Sequence, residues 1–238
     1  MCGRYSLATD EKALEERFRF LDEGLKTGPR FNLAPTQDVL TVVNYGSANH
    51  ARSMKWGLIP FWAKDPSIGN RMINARAETV VGKPSFRQAF QKRRCLIVAD
   101  GFYEWRKEGK NKIPMRIILK SGEPFGFAGL WETWKSPDGR LVKSCTIITT
   151  SPNSVIEPIH NRMPVILTSE GEALWLDLNH SDPSELRELL LPYPADQMDA
   201  YEVSTLVNSP GHDAPECAAP VCGSGFWASV ATESSGHV

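Results

Sequence analysis

No stretch of the 238-residue chain approaches the roughly 18 consecutive apolar residues that a membrane span needs. The first twenty residues hold Arg4, Asp10, Glu11, Glu15 and Glu16 where a secretory signal would be apolar, so the expected location is the cytoplasm. Cysteine is sparse and odd in number: Cys2, Cys95, Cys145, Cys217 and Cys222 cannot make a full disulfide framework, which suits a reducing compartment. Cys217 and Cys222 lie near His212, but no second pair has zinc-ligand spacing, and neither a metal nor another cofactor is expected. The sequence has no GxGxxG, no P-loop and no GxSxG, which removes support for dinucleotide, nucleoside-triphosphate and α/β-hydrolase chemistry. Net charge is also nearly absent, at −1.

Charge is nevertheless segregated. Between residues 71 and 94, Arg71, Arg76, Lys83, Arg87, Lys92, Arg93 and Arg94 face Glu78 alone, whereas nine carboxylates between 170 and 202 face only Arg187. A basic face and an acidic face are expected, although two solvated surfaces would read the same way.

No internal repeat or long polar linker interrupts the chain, and residues 1–222 read as one domain, with 223–238 a weakly ordered tail. Residues 9–21 place Ala13, Leu14, Phe18 and Leu21 at helical spacing behind a Thr9 cap, after a short N-terminal strand. From Val39 the pattern changes to short β-like runs: VLTVVNY, ARSMKWGL, RCLIVADGFYEW, IPMRIIL, PFGFAGLWETW and VKSCTIITT. Helices are expected over 84–92, 152–159, 169–177 and 182–191, each opening near Ser, Asp or Pro. The class is α+β, with a mostly antiparallel sheet closing toward a barrel and short helices around it.

Four clusters carry residues capable of chemistry. Removal of Met1 would leave Cys2 as a 1,2-aminothiol. Its α-amine, with an ordinary pKa of about 7.7–8.0, is partly neutral at physiological pH, and its thiol, at about 8.5, is placed to attack an imine formed by that amine. The product with an aldehyde is a five-membered thiazolidine, although a cysteine at this position can equally be incidental. In INARAET, Asn74 offers donors and an acceptor and Arg76 a planar fork for phosphate; a plain polar loop is the alternative. In ADGFYEW, Glu104 follows an apolar run, where burial would raise its pKa and fit it to move protons; an ion pair with Arg106 or Lys107 is the other reading. In IHNRMPVIL, His160 is the one histidine flanked by apolar, ordered-looking sequence, suited to acid–base work or simply to packing. Phe61, Trp62 and Trp105 could stack on bases, while Arg4 and Arg162 could hold phosphates.

Taken together, MCGRY, FNLAPTQ, KWGLIPFW, INARAET, CLIVADGFYEW, IHNRMPVIL and VSTLVNSP, in this order, closely resemble the SOS-response-associated peptidase (SRAP) family of abasic-site-processing proteins. The resemblance implies an SRAP fold in which Cys2, Asn74, Glu104 and His160 share a pocket opening onto a groove for single-stranded DNA. It implies that Cys2 captures the ring-opened abasic sugar, that Glu104 handles the amine proton, that Asn74 orients the sugar and that His160 assists ring opening. Arg4, Arg76 and Arg162 would hold flanking phosphates, and Phe61, Trp62 and Trp105 would shape the base path. It further implies self-removal of Met1, weak lyase potential through the imine, and action as a monomer on DNA with no membrane or metal partner. After VSTLVN the segment SPGHDAPECAAPVCG departs from the family pattern, putting DNA contacts from 209–222 in doubt. Two rival readings stay open: a cysteine peptidase or amidase using Cys2 and His160, and a non-catalytic single-stranded DNA-binding module with Cys2 incidental.

Overall fold

The computed structural model describes residues 2–21, 24 and 28–221; the expected tail from residue 223 lies outside them. In chain order the elements are β1 (Tyr5–Leu7), α1 (Glu11–Phe18), β2 (Phe20–Leu21), β3 (Arg30–Leu33), β4 (Asp38–Asn44), β5 (Asn49–Trp56), β6 (Asn74–Arg76), α2 (Arg87–Lys92), β7 (Arg94–Ala99), β8 (Gly101–Glu108), β9 (Asn111–Leu119), β10 (Phe125–Lys135), β11 (Leu141–Thr150), β12 (Met163–Pro164), α3 (Ser169–Leu176), α4 (Pro183–Glu188) and β13 (Met198–Glu202).

The expected antiparallel sheet closes as a barrel. Its strands run β5-β4-β7-β10-β11, and β11 returns to β5 through a parallel pairing of Ser144 with Lys55 and Cys145 with Trp56. Closure removes the exposed edges of these strands. Strand β7 is buried along its whole length, as its continuous apolar run RCLIVA requires. A second sheet, β13-β9-β8-β1-β3, lies beside the barrel. Tyr5 on β1 joins the two: its ring lies 5.2 Å from Trp56 and 5.8 Å, edge-on, from Phe127. One apolar cluster accordingly runs through both sheets, and each fully buried aromatic in it contributes roughly 1.5–3 kcal/mol.

The run RCLIVADGFYEW is two strands in two sheets, divided at Asp100. That carboxylate accepts from Ser6 Oγ (2.7 Å), from the amides of Ala8 (2.5 Å) and Thr9 (3.1 Å), and from Arg116 Nη2 (3.1 Å). The residue that divides this run, expected as a single strand, is the anchor of β1. At the end of β5, Gly57 adopts φ +129°, and a Cβ there would lie 2.7 Å from the carbonyl oxygen of Gly69. The loop carrying LIPFW therefore folds back on itself only with glycine at this position.

Several helix expectations need correction. Asp10, not Thr9, caps α1 by accepting from the Ala13 amide at 3.0 Å. The helix stops at Phe18, because Arg19 turns left-handed and sends Phe20 and Leu21 into a strand beside β5. Residues 152–159 form turns rather than a helix, because Asn153 Oδ1 takes the Val155 and Ile156 amides while its Nδ2 binds the Tyr193 carbonyl at 2.7 Å. The remaining helices are shorter than expected: α2 begins only at Arg87, α3 is capped by Thr168 and α4 by Asp182. The basic stretch is also smaller than its count. Arg93 pairs with Glu132 at 2.7 Å, and Arg94, buried, donates to the carbonyls of Trp175, Asp177 and His180 at the C-terminal end of α3.

Candidate functional site

The site lies where the two sheets meet. Cys2 precedes β1 and is fully buried. Asn74, the first residue of β6, donates from Nδ2 to the Cys2 carbonyl at 2.8 Å and so fixes the start of the chain against the barrel. Asn74 Oδ1 is buried with no hydrogen-bond partner among the described residues. Burial pushes the Cys2 thiol well above its ordinary range, and the negative charge of Glu104 pushes it further; the N-terminal ammonium acts in the opposite direction.

Glu104 occupies β8 opposite Met115 and is only 3% exposed. Burial lifts its pKa from 4.5 to about 7, partly offset by the N-terminal ammonium, so the carboxyl is poised to give or take a proton at neutral pH. His160 follows the turns of 152–159. Its Nδ1 lies 3.1 Å from the Arg162 amide and 3.2 Å from the Arg162 carbonyl, so the ring's tautomer decides whether it accepts from the one or donates to the other. Burial lowers the pKa of His160, as do the N-terminal ammonium and Lys107, against an opposing backbone bond at Arg162.

Glu104 and His160 line one cavity of about 340 Å³ together with Trp105, Lys107, Lys112 and Asn208. Cys2 and Asn74 are not on its wall; they are tied to the site by their mutual hydrogen bond and by the charge coupling of Cys2 to Glu104. A larger hollow of about 940 Å³ between α1 and α3 holds none of these groups.

The residues expected to meet DNA are placed unequally. Arg76 is exposed on β6. Arg162 grips Glu78 through two bonds of 2.6 and 3.0 Å and donates to the Thr149 carbonyl at 2.5 Å. Arg4 is half-buried, donating to Asn32 Oδ1 (2.8 Å) and the Val207 carbonyl (2.6 Å) while lying 5.9 Å over the Trp105 ring. Phe61 and Trp62 are 56% and 48% exposed, on a loop braced by Trp134 Nε1 donating to the Ala63 carbonyl (2.7 Å) and by the Ile59 amide donating to Ser144 Oγ (2.8 Å).

Sequence reasoning assigned no role to Asn208 or Lys112, and gave Lys107 only the alternative of an ion pair with Glu104. Trp105 Nε1 donates to Asn208 Oδ1 at 2.7 Å, and VSTLVNSP was the only available signal for that asparagine. The departing segment after it is stitched to β3 rather than loose. Asp213 accepts from the Phe31 (2.6 Å) and Asn32 (2.9 Å) amides and from Arg30, while Asn32 Nδ2 reaches the carbonyls of Ser209 and His212.

The model of the family described as SOS response associated peptidase (SRAP) matches residues 1–210. The chain belongs to the SRAP family. Among SRAP relatives, it is 53% identical to the abasic site processing protein YoqW of Bacillus subtilis over 220 residues, covering 91% of this chain and 98% of that one. The abasic site processing protein HMCES of Rattus norvegicus is 31% identical, over 92% of this chain and 76% of its own. In three dimensions, a protein from Bacteroides thetaiotaomicron solved by X-ray crystallography superposes with a TM-score of 0.83 at 30% identity, covering 92% of this chain and all of the other.

Proposed function

We propose that this SRAP chain, once Met1 is removed, captures abasic sites in single-stranded DNA as a covalent thiazolidine on Cys2. The observation that carries the reading is the coupling of Cys2 to a buried carboxyl titrating near 7, with the Cys2 carbonyl held by Asn74. The aldehyde carbon of the ring-opened sugar takes the Cys2 nitrogen, water leaves, and the resulting imine carbon takes the Cys2 sulfur. The thiol proton ends on the ring nitrogen, so aldehyde and aminothiol become thiazolidine and water. Glu104 as carboxylate accepts a proton from the Cys2 ammonium, freeing the amine to attack, and as carboxylic acid returns it to the departing oxygen. His160, whose pKa burial lowers toward the neutral form, serves the sugar-ring oxygen in ring opening. The free Asn74 Oδ1 is available to a sugar hydroxyl. An imine intermediate also permits β-elimination, so the proposal includes weak lyase activity. We further propose a monomer acting in the cytoplasm; no helix among the described residues is long and apolar enough to cross a membrane.

The thiol argues against the peptidase reading. A thiolate nucleophile needs a lowered pKa and an imidazolium partner, whereas burial drives the Cys2 thiol up and the His160 imidazole down. Amine attack followed by thiol closure requires no standing thiolate. The test incubates mature protein with an oligonucleotide carrying one abasic site and separates the products on a denaturing gel. A heat-stable adduct is expected; its persistence in Cys2→Ala would overturn the proposal.

A further inference from the structure

We propose that Lys107 and Lys112, near the tip of the β8–β9 hairpin, form a two-point phosphate grip that holds the DNA strand on one side of the captured sugar. The inference rests on the proposed DNA reading and adds a binding element to it. Lys107 and Lys112 are direct cross-strand partners in the antiparallel register that also pairs Trp105 with Pro114 and Glu108 with Asn111. Like charges placed opposite one another destabilise a sheet pair unless an anion lies between them. Both lysines line the cavity that Glu104, Trp105, His160 and Asn208 complete, and both are exposed.

The hairpin sequence WRKEGKNK has one carboxylate, Glu108, and it reaches Arg106 at 3.9 Å. Gly109, at φ +58°, makes the tight turn that keeps the two strands, and hence the two ammonium groups, in register. Two further cations expected to meet DNA come from the other sheet. Arg76 sits on β6 and Arg162 adjoins β12, both attached to β11 of the barrel, whereas the lysines belong to the sheet of β1 and β8. A strand passing through the site thus meets basic groups from both sheets, and Trp105, beside the lysines, offers a face for a base. The ligand chemistry is a phosphodiester of nucleic acid, for which the hydrogen-bonding demands on lysine are loose and the charge demand is strong.

The test compares wild type with the double variant Lys107→Gln/Lys112→Gln. Undamaged single-stranded oligonucleotides are titrated across a range of salt concentrations, and two further oligonucleotides carry the abasic site at one end or the other. The slope of log affinity against log salt should fall by about 1.4, twice the per-phosphate value for single strands. The variant should bind more weakly to the oligonucleotide extended on one side of the lesion and equally to the other. Lys120→Gln/Lys135→Gln, which removes two exposed lysines elsewhere, should leave the slope unchanged. An unchanged slope in the hairpin variant, or equal losses on both sides, overturns the grip. Failure of wild type to crosslink at all would instead overturn the capture reading, so the two failures are distinguishable.

Discussion

At the scale of single residues, the carboxyl of Glu104 links stability to chemistry. Its folded pKa of about 7 lies above its ordinary 4.5, so the folded state binds the proton more tightly and the protonated carboxyl is the form the fold favours. Its contribution is fully present below the unfolded value and is lost as pH rises through about 7; by pH 8 the ionised carboxylate costs the fold on the order of 3 kcal/mol. Glu104→Gln is therefore expected to raise the urea midpoint relative to wild type at pH 8 and to leave it nearly unchanged at pH 4.5. The same substitution should slow crosslinking by about 10²–10⁴-fold, the usual contribution of a positioned acid or base. A variant that is both faster-reacting and equally stable at pH 8 would refute this assignment. The carboxyl was legible in the sequence because an acid at the end of the apolar run LIVA has to be accommodated. Lys107 and Lys112 were not: only the β8–β9 register sets them opposite one another, and composition averaged them into a turn.

At the scale of elements, the strand order explains how a short β1 can hold Cys2 in place. Strand β1 has three residues and pairs with β3 and β8 over few positions, so its own ladder is weak. Asp100 supplies the missing anchorage, accepting from Ser6, Ala8, Thr9 and Arg116 in a largely buried position. Asp100→Asn keeps the shape but removes the charge that Arg116 answers. A loss of about 3 kcal/mol is expected from urea denaturation, since the largely buried Arg116 loses its carboxylate and keeps only the neutral acceptors Tyr201 Oη and Ser6 Oγ. Crosslinking should slow because Cys2 is no longer held firmly, and an unaltered denaturation curve would refute the anchor. Gly57→Ala is expected to cost at least about 1–2 kcal/mol, because a Cβ would meet the Gly69 carbonyl at 2.7 Å in a left-handed backbone; the readout is the same denaturation midpoint. Strand identities were largely legible, since period-2 and continuous apolar runs are local signals. The helix over 152–159 was misread because Asn153 competes for the backbone amides, and the division at Asp100 was missed because apolar character continues across it.

At the scale of the whole molecule, closure depends on contacts that no local pattern announces. The barrel closes by a parallel pairing of β5 with β11, while the segment expected to depart from its family is bound back across β3. Asp213 is the centre of that binding, accepting two amides and the Arg30 guanidinium, and the strap it secures leads back to Asn208 beside Trp105. The charge of Asp213 is 22% exposed, so its value lies mainly in the two backbone amides that would otherwise lose their acceptor. Asp213→Ala should cost about 2 kcal/mol, which for a chain of this size lowers Tm by about 4–8 °C. Because the strap also positions Asn208, the variant should bind abasic DNA more weakly, while limited proteolysis should newly cut within residues 205–217. The two readouts separate a local release from general destabilisation: a lower Tm with no new cleavage in the strap, and with unchanged DNA affinity, would mean that Asp213 stabilises β3 alone and that Asn208 is held by Trp105 without it.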